Sequence, residues 1–418
     1  MKKKNAPKWA NPKDYANMEE AITTLSSRES SVDRIRAALS VKLREALEEL
    51  LEAELDEVLG AFRHERTGER RGYRNGSYER QLVTEMGPTA ITVARARIDD
   101  GAGGTREHQS EIVPKYERRM ARVNEMILGC YLGGANTRRI RRAQEPVLGG
   151  GNLSKSAISR VVTKLRDRFD EWTQQDLAAE GSLVLYLDAM HLPVRMARRV
   201  VRVPVQAVIG VRQSGEKLLL SLRIAPSEST ASWKGVVEDL RDRGLHAPKL
   251  AIVDGNKGLL RSIADCWSKT GVQRCTKHKL ENLLAKAPKH CHDELKRDYR
   301  DIVYAKDLEN AQKAYDHFCA KWSKLCVEVV TSLQEAGPNL LTFYRYPKSQ
   351  WKSLRTTNQI ERLNGKFRRR TKTQGSFSNE KSALVLLWAL VAFGQIRMRR
   401  IAGWQDMPEL AAMLNEAA

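Results

Sequence analysis

The sequence predicts a multidomain protein of the α/β plus α class, in which helices precede and interrupt an α/β core. Short buried strands alternate with amphipathic helices from about Gly181 to Cys275. Residues 283–345 are polar and helical in character, and no run typical of a strand occurs there. With 418 residues, the chain is long enough for two to four domains.

The charge of the chain indicates a polyanionic partner. Lys and Arg number 72 against 51 Asp and Glu, which gives a formal net charge of +21 and an isoelectric point near 9.8. Nucleic acid is favoured over a membrane surface, because the cations are spread through folded sequence and no amphipathic anchor is evident. A ribosome-associated or merely soluble basic protein is the alternative.

The cysteines and the apolar segments predict a cytoplasmic protein without membrane attachment. The six cysteines follow no disulfide framework, which indicates a reducing compartment. No apolar run reaches the roughly 18 residues of a membrane span. The N-terminal Met-Lys-Lys-Lys leads into polar sequence rather than into the apolar core of a signal peptide.

The N-terminal region is predicted to begin with an arm and a long helix. Residues 1–16, rich in Lys, Asn and Pro, are expected to form a disordered basic arm. Leucines at spacings of three and four predict a helix from about Ser31 to Phe62. This helix could pack within its own domain or against a second subunit, so residues 17–115 are expected to serve DNA binding or dimerisation.

A basic β-ribbon is predicted for residues 63–98. Apolar and polar residues alternate around an Asn75-Gly76 turn and a Gly87-Pro88 turn, and a flexible link is predicted for residues 99–106. Arginines are dense in the ribbon and are suited to tracking a phosphate backbone, although a solvated strand face explains the same residues. Two of these arginines, Arg71 and Arg74, are candidate DNA-binding residues.

Residues 116–178 predict three helices with the character of a helix-turn-helix. The first covers about residues 119–132, the second begins at Asn136 or Thr137, and a Gly149–Gly151 turn separates it from a third helix capped by Ser154. Any three-helix bundle would give a similar pattern, but the basic residues favour DNA binding. The candidate DNA-binding residues are Arg138, Arg139, Arg141, Arg142, Lys155 and Arg160.

Residues 179–282 predict the first part of a catalytic α/β domain. The order is strand-strand-strand-helix-strand-helix-strand, which is the element order of an RNase H-like fold. In that order the first and fourth strands are parallel neighbours. Asp188 ends the first buried strand and Asp254 follows the fourth, so their carboxylates are expected to lie close together.

The remaining sequence predicts a helical insertion and the second part of the same core. Residues 283–345 are expected to form the all-helical insertion, and residues 346–418 to return to the core and end in helices. Within residues 351–372, the carboxylate of Glu361 lies among eight basic residues on a helix capped by Thr357. The candidate DNA-binding residues here are Arg362, Lys366, Arg368, Arg369, Arg370 and Lys372.

The three carboxylates Asp188, Asp254 and Glu361 are suited to metal-dependent phosphodiester chemistry. Oxygen ligands of this kind hold Mg²⁺ or Mn²⁺. Two such ions can activate an attacking hydroxyl and stabilise the leaving oxygen. A single Asp after a strand is more often a turn residue, and Asp254-Gly255-Asn256 suits a turn as well.

Four segments resemble the bacterial insertion-sequence transposases of the Mutator superfamily, a DDE group. They read LYLDAMHLPVR, AIVDGNKGL, RCTKHKLEN and TTNQIERLNGKFRRRTKTQGSF, and the last is the most specific. The resemblance implies an RNase H-like domain with a helical insertion and the catalytic, metal-binding triad Asp188, Asp254 and Glu361. It also implies Mg²⁺-dependent cleavage at terminal inverted repeats and strand transfer into target DNA, with two ions that Mn²⁺ can replace.

Cys275 and His278 match the Cys-x2-His motif of that family. From the residues alone they could form half of a zinc site, with His290, Cys291 and His292 as nearby candidates. The favoured interpretation is that Cys275, His278 and Asn358 shape the active site. His191, three residues after Asp188, could orient a water or DNA, although a structural role is favoured.

The leading hypothesis is therefore a transposase that acts on double-stranded DNA in the bacterial cytoplasm, associated with the nucleoid. Because two element ends must be brought together, a homodimer is expected. An RNase H-like nuclease or resolvase would cut without strand transfer. A catalytically inactive DNA-binding regulator would show the same charge and helix-turn-helix but would have no reason to keep three acids in these contexts.

Overall fold

The protein is a mixed α/β chain that divides into two compact units. The computed structural model describes residues 18–101, 103–148, 153–196 and 198–416. The first unit comprises Met1–Tyr131 with Asn136–Val161, and the second comprises Leu132–Ala135 with Val162–Ala418. The predicted arm at residues 1–16 and the predicted Gly149–Gly151 turn lie outside the described residues.

In the first unit, a long helix packs on a three-stranded antiparallel sheet. The helix buries Leu47 and Leu51 against Leu82, Ile91 and Val93 of the sheet, which explains the leucine spacing in its sequence. The strands follow the order β1-β2-β3. The elements are α1 (Met18–Leu59), β1 (Gly72–Thr84), β2 (Gly87–Asp99) and β3 (Thr105–Glu107).

The β-ribbon differs from the sequence-based expectation in two places. Asn75-Gly76 is not a hairpin turn but a bulge within β1, where the register shifts between Arg74 and Ser77 and Gly76 has φ +74°. Glycine favours such a bulge because it adopts positive φ without a Cβ clash. The predicted link at residues 99–106 contains the start of β3, which pairs with β2. Helix α1 also begins earlier than predicted, at Met18 rather than Ser31.

Three helices follow the ribbon, as the sequence predicts. Asn136 caps the second through a hydrogen bond of 3.0 Å from the Arg139 amide to its side chain. The side chain of Ser154 accepts a 3.1 Å hydrogen bond from the amide of Ala157 at the start of the third. The helices are α2 (Ala121–Leu132), α3 (Thr137–Leu148) and α4 (Lys155–Thr173).

The second unit is built on a five-stranded sheet of order β6-β5-β4-β7-β8. The β4–β5 and β5–β6 pairs are antiparallel, whereas β4–β7 and β7–β8 are parallel. The first and fourth strands of this unit are therefore parallel neighbours, as the sequence predicts. The strands are β4 (Ser182–Met196), β5 (Arg199–Arg212), β6 (Lys217–Ile224), β7 (Leu250–Val253) and β8 (Gly271–Arg274).

Helices cover both faces of this sheet. Leu185 and Leu187 of β4 contact the cluster that contains Trp233 and Ile263 from two helices on one face. On the other face, the hydroxyl of Tyr186 donates a 2.9 Å hydrogen bond to the carbonyl of Ser353. The helices of the unit after α4 are α5 (Thr230–Asp242), α6 (Lys257–Cys266), α7 (Thr276–Leu284), α8 (His292–Val303), α9 (Leu308–Leu325), α10 (Val327–Ala336), α11 (Trp351–Leu354), α12 (Asn358–Thr371), α13 (Glu380–Ala392) and α14 (Met407–Glu416).

Helix α13 is strongly apolar. It is 13 residues long and buries Val385, Leu386 and Leu387 in the unit. Among the described residues, no helix combines the length and the apolar character that crossing a membrane requires.

Candidate active site

Asp188 lies on β4, and Asp254 directly follows β7, the parallel neighbour of β4 in the sheet. The register pairs Leu185 with Ala251 and Tyr186 with Ile252, and two further residues along both strands bring Asp188 level with Asp254. The two side chains also interact electrostatically, because the charge of Asp254 raises the pKa of the Asp188 carboxyl group. One detail of the prediction is wrong: Asp188 does not end its strand, since β4 continues to Met196 in a hairpin with β5.

The Asp254 loop is held in a tight turn. The Asp254 Oδ1 atom accepts a 2.8 Å hydrogen bond from the amide of Asn256, whose side chain in turn caps α6 through the amide of Leu259. Between them, Gly255 has φ +101°, and a Cβ added there would lie 2.1 Å from the guanidinium of Arg274. The turn that the sequence suggests is therefore present, and it requires glycine.

Glu361 lies one turn into α12 and is held by two hydrogen bonds. Its Oε1 accepts a 2.9 Å bond from the hydroxyl of Thr357, and its Oε2 is 2.5 Å from the Nζ atom of Lys277. Burial opposes the charge of Glu361, but these two bonds, together with the charges of Lys277 and His278, keep the pKa of the carboxyl below its ordinary value. Thr357 occupies the predicted cap position without a side-chain cap bond, because its hydroxyl is directed to Glu361.

Cys275 and His278 form a polar pair beside Glu361. The buried Cys275 begins α7, and its sulfur lies 3.4 Å from the Thr357 amide. Burial would raise the pKa of the thiol, but hydrogen bonds from His278 and Thr357 lower it below its ordinary value. The thiol in turn raises the pKa of His278 to about 9, with a further contribution from Glu361, whose Oε1 is 3.7 Å from the His278 Nε2 atom.

The carboxyl group of Asp188 is strongly perturbed by its surroundings. Burial, followed by the charge of Asp254, raises its pKa from 3.8 to about 6. Its Oδ2 atom accepts a 2.8 Å hydrogen bond from the side-chain nitrogen Nδ2 of Asn364. The Asn364 side chain is buried, and its Oδ1 has no hydrogen-bond partner among the described residues. Carboxylate and carbonyl oxygens of this kind are the donors that suit a hard cation.

Asp188→Asn is expected to stabilise the metal-free protein by about 1–3 kcal/mol at pH 8, because it removes a charge that folding disfavours. The folded-state pKa of about 6 exceeds the ordinary 3.8. The free-energy cost of ionising Asp188 in the folded protein is therefore absent below about pH 4 and complete above about pH 6. Thermal unfolding in EDTA checks this, and the advantage of the variant must grow from pH 4 to pH 8. An advantage that does not change with pH would contradict the assigned cause.

One group of possible metal ligands in the described chain has all its ligand atoms within 4.8 Å of one another, and it consists of Cys275, His278 and Glu361. The two aspartates lie outside this group. His290 and Cys291 are not in it either, and the ring of His292 is 3.1 Å from the carbonyl oxygen of Ala287. The zinc site considered from the sequence, which would use residues 290–292, therefore has no support in this geometry.

Asn364, Lys277 and Thr357 were not among the residues predicted for the site. Asn364 follows Glu361 by three residues on a helix, so both side chains belong to one face, and this spacing was the available signal. Lys277 lies between the two residues of the Cys-x2-His motif. Conversely, Asn358 is the first residue of α12 and is half-buried, and no hydrogen bond of its side chain is observed in the described chain.

The predicted DNA-binding residues differ in their exposure. Arg74 is half-buried and pairs with Glu52 and Asp56 of α1, so its charge is compensated within the first unit. Arg370 is half-buried. The remaining predicted cations are exposed: Arg71, Arg138, Arg139, Arg141, Arg142, Lys155, Arg160, Arg362, Lys366, Arg368, Arg369 and Lys372.

The family relationship follows from comparison with known sequences. A family model described as "Transposase, Mutator family" matches residues 16–395. The chain belongs to the Mutator family of transposases. The resemblance carried by the four sequence motifs is thus confirmed, and the Mutator-family match extends over both units.

Known Mutator-family relatives are transposases of bacterial insertion sequences. The transposase of IS905 from Lactococcus lactis is 32% identical over 309 residues, covering 74% of this chain and 76% of the relative. The transposase of ISRM5 from Rhizobium meliloti is 32% identical over 326 residues, covering 78% of this chain and 80% of the relative. The transposase of IS256 in transposon Tn4001 from Staphylococcus aureus is 28% identical over 334 residues, covering 78% of this chain and 82% of the relative.

Among solved structures, the Drosophila P element transposase strand transfer complex aligns with 69% of this Mutator-family chain and 85% of the solved chain. The sequence identity is 10% and the TM-score is 0.28. At that score the alignment carries no argument about this fold.

Proposed function

We propose that this Mutator-family transposase cleaves DNA at the terminal inverted repeats of its element and transfers the ends into target DNA with Asp188, Asp254 and Glu361. The observation that carries this proposal is the juxtaposition of the two aspartates on neighbouring parallel strands, with the charge of Glu361 also acting on Asp188. Three carboxylates in one electrostatic neighbourhood are unfavourable unless cations or protons compensate them.

The fold that we propose for the second unit is RNase H-like, interrupted by a helical insertion. Three antiparallel strands followed by two parallel ones support it, as does the position of β4 between β5 and β7. Residues 283–345 contain helices and no strand among their elements, in agreement with an insertion before Glu361. In this proposal the core consists of residues 179–282 and 346–418, the insertion of residues 283–345, and the DNA-binding regions of residues 17–115 and 116–178.

The residues present fit a divalent cation, Mg²⁺ by preference with Mn²⁺ as a substitute. Asp188 and Asp254 would hold it, and the unpartnered Oδ1 of Asn364 offers a third oxygen beside Asp188. When two such ions are bound, they activate the attacking hydroxyl and stabilise the leaving oxygen of a phosphodiester. Asn364 orients the Asp188 carboxylate through its amide, and Thr357 orients that of Glu361.

Lys277 would compete with a cation for the carboxylate of Glu361, since its Nζ atom lies 2.5 Å from Oε2. Lys277→Ala is therefore expected to tighten Mn²⁺ binding about five- to tenfold, equivalent to about 1–1.4 kcal/mol. Calorimetric titration with Mn²⁺ measures this effect. Lys313→Ala is the matched control, because it removes an exposed lysine that pairs with Glu309. Weaker Mn²⁺ binding by the Lys277 variant alone would contradict the prediction.

The DNA contacts proposed here come from three basic surfaces. On α12, the exposed Arg362 and Lys366 lie near Lys217, whose pKa falls to about 8 through burial and the charge of these two cations. Such crowding of cations is relieved by phosphate. The second surface is the helix-turn-helix formed by α3 and α4. The third surface consists of the arginines of the ribbon other than Arg74. Two ends must meet, so a homodimer working at the bacterial nucleoid is part of the proposal.

The decisive experiment uses labelled duplex DNA that carries the flanking element ends, with Mg²⁺, Mn²⁺ or EDTA. Metal-dependent joined products from native ends, but not from scrambled ends, are the expected result. Cleavage without joining would instead support a nuclease or resolvase. Tight end binding without cleavage in either metal would leave the inactive DNA-binding regulator as the better account and overturn the catalytic proposal.

A further inference from the structure

An exposed tyrosine within the helical segment at residues 283–345 contacts two arginines. Tyr304 follows α8, and 59% of its surface is exposed. The guanidinium carbon of Arg355 is 4.1 Å from the centre of its ring, and that of Arg300 is 5.3 Å from the same point. Both distances lie within the range of a cation–π contact. Two positive charges are thus held against one ring at the protein surface.

These two charges lack an acidic partner in the part of the chain that the structure describes. No carboxylate oxygen there forms an ion pair with the side chain of Arg300 or Arg355. Some other arginines of the same unit are compensated, since Arg212 pairs with Glu180 and Arg241 with Asp242. Two uncompensated guanidiniums that share one ring favour an anion more strongly than isolated surface cations do.

The backbone connects this tyrosine-arginine cluster to the candidate active site. The carbonyl of Arg355 accepts hydrogen bonds from the amide and the hydroxyl of Thr276, at 3.0 Å and 3.1 Å. Thr276 follows Cys275, and Arg355 precedes Thr357 by two residues, so Arg355 lies on the segment that leads into the Glu361 helix. The backbone of Arg355 therefore lies beside the start of α7, next to Cys275 of the candidate active site.

We propose that Arg300, Tyr304 and Arg355 form a clamp for a backbone phosphate of the DNA strand that enters the active site. The ring of Tyr304 restricts the two guanidinium planes, and their N–H edges remain available to donate to phosphate oxygens. Phosphate contacts of this kind fix the register of the strand without reading its sequence. The inference rests on the proposed DNA-cleaving function and adds a specific positioning surface to it.

The salt dependence of DNA binding tests the clamp. Full-length protein and a labelled duplex of the element end are titrated by fluorescence anisotropy between about 50 and about 200 mM salt. Loss of one phosphate contact in Arg300→Ala or Arg355→Ala should reduce the slope of log K against log salt by about 0.9. Tyr304→Phe should match wild type because it keeps the ring. Arg241→Ala removes an exposed arginine that already has an acidic partner and should leave the slope unchanged.

The outcomes separate the clamp from the function on which it rests. Unchanged slopes in both arginine variants, with wild-type joining intact, would overturn the clamp alone. Absence of end binding and joining by wild type would overturn the proposed function itself. A strong loss of binding to unpaired ends in Tyr304→Ala, with the arginine variants unaffected, would assign the ring to base stacking and also overturn the clamp. Thermal unfolding of each variant confirms that it is folded.

Discussion

Asp188→Asn, Asp254→Asn and Glu361→Gln are each expected to reduce DNA joining by at least about 10³-fold, equivalent to about 4 kcal/mol of transition-state stabilisation. Each substitution keeps the shape of the side chain and removes the negative charge that would hold a divalent cation at the site. Binding of the element ends should persist, because DNA affinity depends mainly on the cationic surfaces. Gel assays of joined products and anisotropy of labelled ends measure the two properties in parallel.

A matched control for the three acids is Asp242→Asn on α5. Asp242 is 66% exposed at its side chain and pairs with Arg241, so its loss should leave joining unchanged. Combining two active-site substitutions should cost little more than either one if the carboxylates act as a unit, as we propose. Substantial joining by any of the three single variants would remove that residue from the catalytic assignment.

Gly255→Ala is expected to lower the stability of the second unit by about 2–4 kcal/mol. At φ +101° any residue with a Cβ is strained, which costs about 1–2 kcal/mol. The added Cβ would also displace Arg274, whose side chain is only 4% exposed and lies 3.9 Å from Glu335. Because the turn positions Asp254, activity should fall along with stability. Thermal unfolding followed by circular dichroism should show a melting temperature about 5–10 °C lower.

Gly365→Ala provides the comparison for this effect. Gly365 lies within α12, and a Cβ added there would meet nothing within 4 Å. Alanine is a better helix former than glycine by about 0.5–1 kcal/mol, so this variant should be slightly more stable than wild type. Equal losses of stability in the two glycine variants would contradict the explanation based on φ and the Arg274 contact.

The strands themselves could be predicted because continuous apolar runs indicate buried strands. The assignment of Asp188 and Asp254 to neighbouring strands depended in addition on the element order of an RNase H-like fold, and the observed strand order agrees with it. The length of β4 could not be predicted. Its continuation past Asp188 depends on pairing with β5, a contact between residues that local periodicity does not connect.

The side-chain contacts within the site could not be predicted from the sequence for a related reason. The hydrogen bond between Asn364 and Asp188 joins residues that are 176 positions apart, and the contact of Lys277 with Glu361 spans 84 positions. Helical spacing places Asn364 on the face of Glu361, but only the packed fold determines which carboxylate it reaches. The bulge at Gly76 was missed because an Asn-Gly pair suits a hairpin turn equally well.

The separation of the three acids along the chain has a consequence during synthesis. Asp188 and Asp254 lie before the helical segment at residues 283–345, whereas Glu361 lies after it. A growing polypeptide that has emerged only as far as that segment can pair β4 with β7 yet still lacks α12, Asn364 and the third acid. Fragments from interrupted translation would therefore hold the two aspartates without Asn364 and Glu361, and would lack part of the catalytic site that we propose.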